Sequence, residues 1–159
     1  MTDSVQQIGM AQLTVERAPM LIRSSGLGSC LGVIIYDPFT ATGAMAHAML
    51  PYYRQGRQGN KAKYVDTAIE VILAEMKDRG CKKENLIAKL AGGAQMFPDA
   101  DRDVLVIGKK NIQAGRECLA ELGIPIVAED VGGNSGRSLE FDCATGDLTI
   151  KTITNKTII

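Results

Sequence analysis

The chain has no tryptophan, and aromatic residues make up only 4% of it. That argues against a surface on which nucleic-acid bases stack. Basic and acidic residues balance at 18 each, for a formal net charge of +0, and no basic block occurs. Nucleic acid is therefore not an expected partner. No apolar run approaches the ~18 residues that a membrane span needs, so membrane insertion is not expected. The first residues, Met1 to Val5, carry neither a basic nor an apolar leader segment. No signal peptide is expected, and a cytoplasmic protein is the default reading. There is one histidine, His47, and the four cysteines, Cys30, Cys81, Cys118 and Cys143, lie far apart. Those spacings build no zinc site, so neither a metal nor a cofactor is expected. In a reducing compartment disulfides are not expected either. Cys81, Cys118 and Cys143 read as small apolar side chains of the core.

What is present is glycine, 17 residues clustered in loops, in a chain of 159 residues. That length suits one domain, residues 1–159, with a core large enough to need no staples. The sequence is organised around Gly26-Leu27-Gly28-Ser29-Cys30, which runs into the apolar stretch Leu31 to Tyr36. Asp37 to Thr42 carries turn chemistry, and Gly43 to Leu50 is the next strand candidate. As a hairpin, this places Gly32 opposite His47 and Cys30 opposite Met49. Side chains alternate with period two, so Cys30 and His47 share a face as diagonal neighbours, with Cα atoms roughly 7–8 Å apart. A slip of one residue would put His47 on the other face.

A thiol is a poor nucleophile until it loses its proton, and a neighbouring imidazole can take it and then stabilise the thiolate. The glycines let the backbone turn tightly, so that the amides of Ser29 and Cys30 can form an oxyanion hole. The bland alternative is a core cysteine and a core histidine; residue type alone favours it, and the glycine loop with the hairpin geometry brings the two readings level. A dinucleotide fingerprint is excluded, because Leu31 stands where the third glycine is needed and a strand follows the loop.

Along the rest of the chain, residues 6–15 read as a strand broken near Ala11, and Met20 to Ile22 as another. Tyr52 to Asn60 is a polar loop near the site. Lys61 to Arg79 reads as a helix stopped by Gly80, and Lys109 to Leu122 as a second stopped by Gly123. Leu86 to Ala91 and Pro125 to Glu129 read as strands, Pro98 to Arg102 as a surface loop. Ser138 to Asp142 and Asp147 to Ile153 form a hairpin, and residues 155–159 a loosely held tail. The expected fold class is α+β: mixed or antiparallel sheets with two main helices packed on one side. Glycine loops at 26–28, 92–93 and 132–136 each follow a strand and converge, on this reading, around Cys30.

The ordered motifs Gly26-Leu27-Gly28-Ser29-Cys30, Gly43-Ala44-Met45-Ala46-His47, Gly92-Gly93-Ala94 with Met96-Phe97, Ile107-Gly108 with Asn111, Glu129-Asp130 with Gly132-Gly133, and Gly136-Arg137 resemble the chemoreceptor glutamine deamidases, the CheD family. The resemblance runs from about residue 8 to 153. It implies hydrolysis of receptor glutamine side chains to glutamate with release of ammonia, and in some members receptor methylesterase activity. It places the nucleophile on Cys30 and the histidine on His47. A third position, usually threonine, falls on Ser24, with Ser25 as a competitor. Substrate-binding and oxyanion roles then fall on Gly26, Gly28, Ser29, Gly92, Gly93, Gly133 and Arg137. The implied partners are chemoreceptor cytoplasmic helices and a CheC-type phosphatase. The catalytic arrangement also resembles the deamidase domain of cytotoxic necrotizing factor toxins. A competing reading is an adaptor that docks on receptors and CheC with little catalysis of its own.

Overall fold

Two neighbouring strands of this chain have no exposed face, and the architecture follows from covering them. A computed structural model describes residues 4–96 and 102–159. The elements run β1 (Val5–Gln7), β2 (Leu13–Arg17), β3 (Leu21–Leu27), β4 (Leu31–Asp37), β5 (Thr42–Ala48), α1 (Val65–Asp78), β6 (Ile87–Gly92), α2 (Arg102–Leu122), β7 (Ile126–Val131), β8 (Arg137–Asp142), β9 (Leu148–Lys151) and β10 (Lys156–Ile158). Every residue of β4 and β5 is buried. They are the central pair of a sheet ordered β2-β5-β4-β6-β7, and a second sheet, β1-β3-β8-β9-β10, covers one face.

Strand alternation assigns each side chain to its layer. Leu31, Val33, Ile35, Ala44, Ala46 and Ala48 pack with Ile69, Ile72 and Met76 of α1 and with Ala114 and Leu119 of α2. Cys30, Ile34, Tyr36 and Met45 face the other way, against Ile22, Leu27, Leu139 and Phe141 of the covering sheet. Fully burying each such large apolar side chain is worth about 1.5–3 kcal/mol. Small residues set the spacing: a Cβ on Gly43 would lie 2.5 Å from the Phe141 ring. The fold is α+β with both helices on one side, as the sequence pattern implies.

The hairpin register is also as read from the sequence, with Tyr36 opposite Gly43 and Gly32 opposite His47. Several boundaries differ. The first helix begins at Val65, because Lys61–Lys63 forms a 3-10 turn capped by the Asn60 side chain and Tyr64 is extended and pairs with Leu50. The second helix begins at Arg102 rather than Lys109. Gly108 interrupts its apolar stripe, yet it fits where a Cβ would lie 2.6 Å from the carbonyl oxygens of Gly93 and Ala94. The loop expected over Pro98 to Arg102 lies outside the described residues up to position 101. The tail is not loose: β10 pairs antiparallel with β9 after a turn closed by Thr152 and Asn155. Its three residues are all exposed, so no apolar pattern announces the strand. The break near Ala11 is a turn, with Ala11 at φ 60° between β1 and β2.

Candidate active site

His47 lies one residue from the end of β5, on the face that meets the covering sheet, and is 1% exposed. Its backbone is pinned from both sides: its N–H donates to Gln12 O at 3.0 Å, and Ala11 N–H donates to its carbonyl at 2.9 Å. The ring meets Ser24 of β3, with Oγ 2.7 Å from Nδ1. Ser24 Oγ also donates to Ile8 O at 3.0 Å. A hydroxyl has one proton, and here it is spent on the carbonyl, so Ser24 accepts and Nδ1 carries the hydrogen. Nε2 is then the basic nitrogen, and it is buried with no hydrogen-bond partner among the described residues.

The choice between Ser24 and Ser25 follows from the strand. Ile22 and Ser24 point inward, while Ser25 is exposed. A bulge between Ser24 and Leu27, with Gly26 at φ 74°, then turns Leu27 back into the core. The contact to the imidazole belongs to Ser24.

Cys30 directly precedes β4 and is 8% exposed. It packs in the same inter-sheet layer that His47 enters. No hydrogen bond joins its thiol to the imidazole. Burial pushes the Cys30 thiol up from its ordinary value, and the backbone N–H of Cys30 offsets part of this. Burial lowers the His47 imidazole. Both shifts run toward the neutral forms. The arrangement is a thiol in the same layer as an imidazole whose tautomer is already set.

The three glycine loops do converge around Cys30. Carbonyls of the first glycine loop are taken up one after another: Gly28 O by Ala94 N–H at 2.9 Å and Cys30 O by Gly93 N–H at 2.8 Å. Between them, Ser29 O accepts from Asn111 Nδ2 at 2.9 Å. The third loop joins through Gly132 N–H to Gly92 O at 2.9 Å and Gln95 N–H to Gly133 O at 2.8 Å. Gly92, at φ 111°, has no room for a side chain, since a Cβ would lie 2.4 Å from Cys30 O. Met96 lies over Gly28 and Gly136 and stays 38% exposed at the rim.

Not every residue proposed from the sequence faces this centre in the same way. Arg137 is buried, donates to Gly92 O at 3.3 Å and pairs with Asp130 at 3.1 Å. It ties the second and third loops together and, in this arrangement, reaches protein groups. Gly93 is packed beneath Ile112 and Gly108 of α2, and Gly133 serves through its carbonyl. Sequence reading named Asn111 among the motifs but gave it no role. Its single clue is an amide in a helix whose neighbours Gly108, Ile112 and Gly115 all pack inward. Among the described residues, no group of three or more histidine, cysteine, aspartate or glutamate side chains is placed to hold a metal ion. No helix there is long and apolar enough to cross a membrane.

Comparison with known proteins gives a consistent result. A family model described as CheD chemotactic sensory transduction matches residues 49–152, beginning just after His47. Full-length relatives extend the similarity over the site. The chain is 44% identical over 155 residues to the probable chemoreceptor glutamine deamidase CheD of Caldanaerobacter subterraneus subsp. tengcongensis, covering 96% of each chain. It is 46% identical over 154 residues to the chemoreceptor glutamine deamidase CheD of Halalkalibacterium halodurans, covering 95% of each. Among solved structures, the Bacillus licheniformis hypothetical protein YfiH superposes with a TM-score of 0.48 at 14% identity, over 74% of this chain and 49% of that one.

Proposed function

Since the chain belongs to the CheD family, we propose that it deamidates glutamine side chains of chemoreceptors, with Cys30 as nucleophile and His47 as its acid–base partner. The observation that carries this reading is the Ser24 contact at 2.7 Å, which fixes the imidazole and leaves Nε2 free on the face shared with Cys30.

The proposed chemistry runs in two halves. As the Cys30 sulfur attacks the carboxamide carbon, its proton passes to His47 Nε2 and the carbonyl electrons move onto oxygen. The N–H groups of Ser29 and Cys30 receive that oxyanion. His47 then returns the proton to the amide nitrogen, the C–N bond breaks, and ammonia leaves a thioester on Cys30. Water attacks the thioester, giving its proton to Nε2. The C–S bond breaks, the glutamate is released, and His47 reprotonates the sulfur. Each positioned proton transfer contributes about 10²–10⁴-fold. Chemoreceptor cytoplasmic helices are the proposed substrate, and a CheC-type phosphatase is the proposed regulator.

The test is mass spectrometry of a receptor cytoplasmic fragment incubated with the protein. The expected result is ammonia release and the mass gain of NH₂ replaced by OH at defined glutamines, both absent with Cys30→Ala. Stable binding of the fragment without any mass change would replace this reading with that of an adaptor. Undiminished turnover by Cys30→Ala would remove the thiol mechanism.

A further inference from the structure

We propose that Asn111 is a positioning residue that aims the backbone N–H of Cys30 at the oxyanion. The inference rests on the deamidation reading above and adds to it a residue for which that reading has no use.

Asn111 is fully buried on α2. Its Nδ2 donates to two carbonyls on separate elements: Ser29 O at 2.9 Å and Met49 O at 3.0 Å. The orientation of the amide is unambiguous, because the flipped form would set Oδ1 against two carbonyl oxygens. Asn111 Oδ1 is buried with no partner among the described residues. Leaving such an acceptor orphaned costs about 1–3 kcal/mol, more than a typical single hydrogen bond returns. A buried apolar side chain would carry no such cost, so core packing does not explain an asparagine here. Its grip on the two carbonyls does.

Those two carbonyls belong to the residue just before Cys30 and the residue two after His47. The grip on Ser29 has a geometric consequence. In a trans peptide the C=O and the N–H of the same unit point in opposite directions. The only cis bond of the described chain is Ala18–Pro19. With Ser29 C=O held toward Asn111, Cys30 N–H points away from α2. The same logic holds one unit earlier. Gly28 C=O is held by Ala94, so Ser29 N–H points away from the second glycine loop. Neither amide is bonded to a backbone carbonyl of the described residues. Asn111 thus locks the peptide unit that supplies one of the two oxyanion donors, while its second bond ties the end of β5 to the same anchor.

This role separates two reactions of one sulfur. Alkylation by iodoacetamide is a direct displacement that develops no oxyanion, whereas deamidation does. Asn111→Ala and the near-isosteric, uncharged Asn111→Leu should therefore lower kcat for deamidation by about 100-fold, the scale of one lost oxyanion donor, with KM within about threefold of wild type. The Cys30 N–H also steadies its own thiolate, so the rate of Cys30 alkylation, followed by peptide mapping, should fall by no more than about tenfold, well short of the loss in kcat. Circular dichroism and urea unfolding establish that the variants fold, and Asn111→Leu, which leaves no cavity, carries the test should the alanine variant fail to do so. A kcat within threefold of wild type overturns the proposal. So does an alkylation rate that falls in parallel with kcat, because Asn111 would then act through the thiol and the imidazole. Cys30→Ala run alongside separates the two levels. Activity surviving in Cys30→Ala defeats the deamidation mechanism itself. Activity lost there but intact in the Asn111 variants defeats only the role of Asn111.

Discussion

Replacing Ser24 by alanine removes one oxygen and orphans two buried groups. The hydroxyl accepts from His47 Nδ1 and donates to Ile8 O, and both residues are at most 3% exposed. Each group left unpaired costs about 1–3 kcal/mol, so the two together should cost the fold about 2–6 kcal/mol. That is a substantial part of the 5–15 kcal/mol typical of a domain, so unfolding is measured beside activity. Catalysis suffers separately, because Nδ1 no longer has a reason to hold the proton. Equal tautomer populations cost only about twofold, since half the rings keep Nε2 basic; a ring free to turn out of line adds the larger loss, for a total of about 10- to 100-fold in kcat. Ser24→Thr should restore most of both, since it keeps the hydroxyl and stiffens χ1. The assays are urea unfolding and ammonia release from a receptor fragment. Ser24→Ala with a stability within about 0.5 kcal/mol of wild type and unchanged kcat would refute the reasoning.

Two further outcomes follow from the same geometry. Gly92→Ala should destabilise by about 2 kcal/mol or more, since it forces a side chain onto φ 111° and places a Cβ 2.4 Å from Cys30 O; a urea midpoint equal to wild type would contradict this. Burial lowers the His47 pKa from 6.5, so the unfolded chain takes up the proton more readily than the native one. Stability should fall as pH drops through about 6.5, and His47→Gln should flatten that part of the profile; equal slopes in the two proteins would count against a buried neutral imidazole.

The parts of this site that were legible in the sequence are those fixed by local counting. Period two along β4 and β5, joined by the Asp37 to Thr42 turn, is enough to set Gly32 opposite His47 and to put Cys30 and His47 on one face. The role of Ser24 over Ser25 was not legible, because the bulge at Gly26 resets the alternation and only the paired strand β8 reveals it. β10 was hidden for a different reason: an exposed three-residue edge strand has no apolar signature, and backbone pairing alone holds it. Asn111 and Arg137 show the deeper limit. A polar side chain that bonds backbone carbonyls from distant segments leaves no pattern of its own, since its partners, Ser29 O, Met49 O and Gly92 O, are groups that every residue carries.

The protonation state of the pair yields the sharpest test. A cysteine beside a histidine invites the picture of a preformed thiolate–imidazolium pair. Here burial moves both groups toward neutrality, and no hydrogen bond joins them. Each unit of opposed shift costs about 1.4 kcal/mol for transfer of the proton before attack. In the proposed mechanism, proton transfer is coupled to C–S bond formation, when charge passes on to the amide oxygen and its N–H donors. A preformed pair would make the alkylation rate of Cys30 level off across neutral pH, at the value set by a thiolate already present. A neutral pair predicts instead a rate that climbs about tenfold per pH unit from 6 to 8 and keeps rising beyond, following the small thiolate fraction of a buried thiol. Iodoacetamide kinetics at Cys30 over that range decide between the two. A plateau between pH 6 and 8 that disappears in His47→Ala would establish the ion pair and overturn the coupled mechanism.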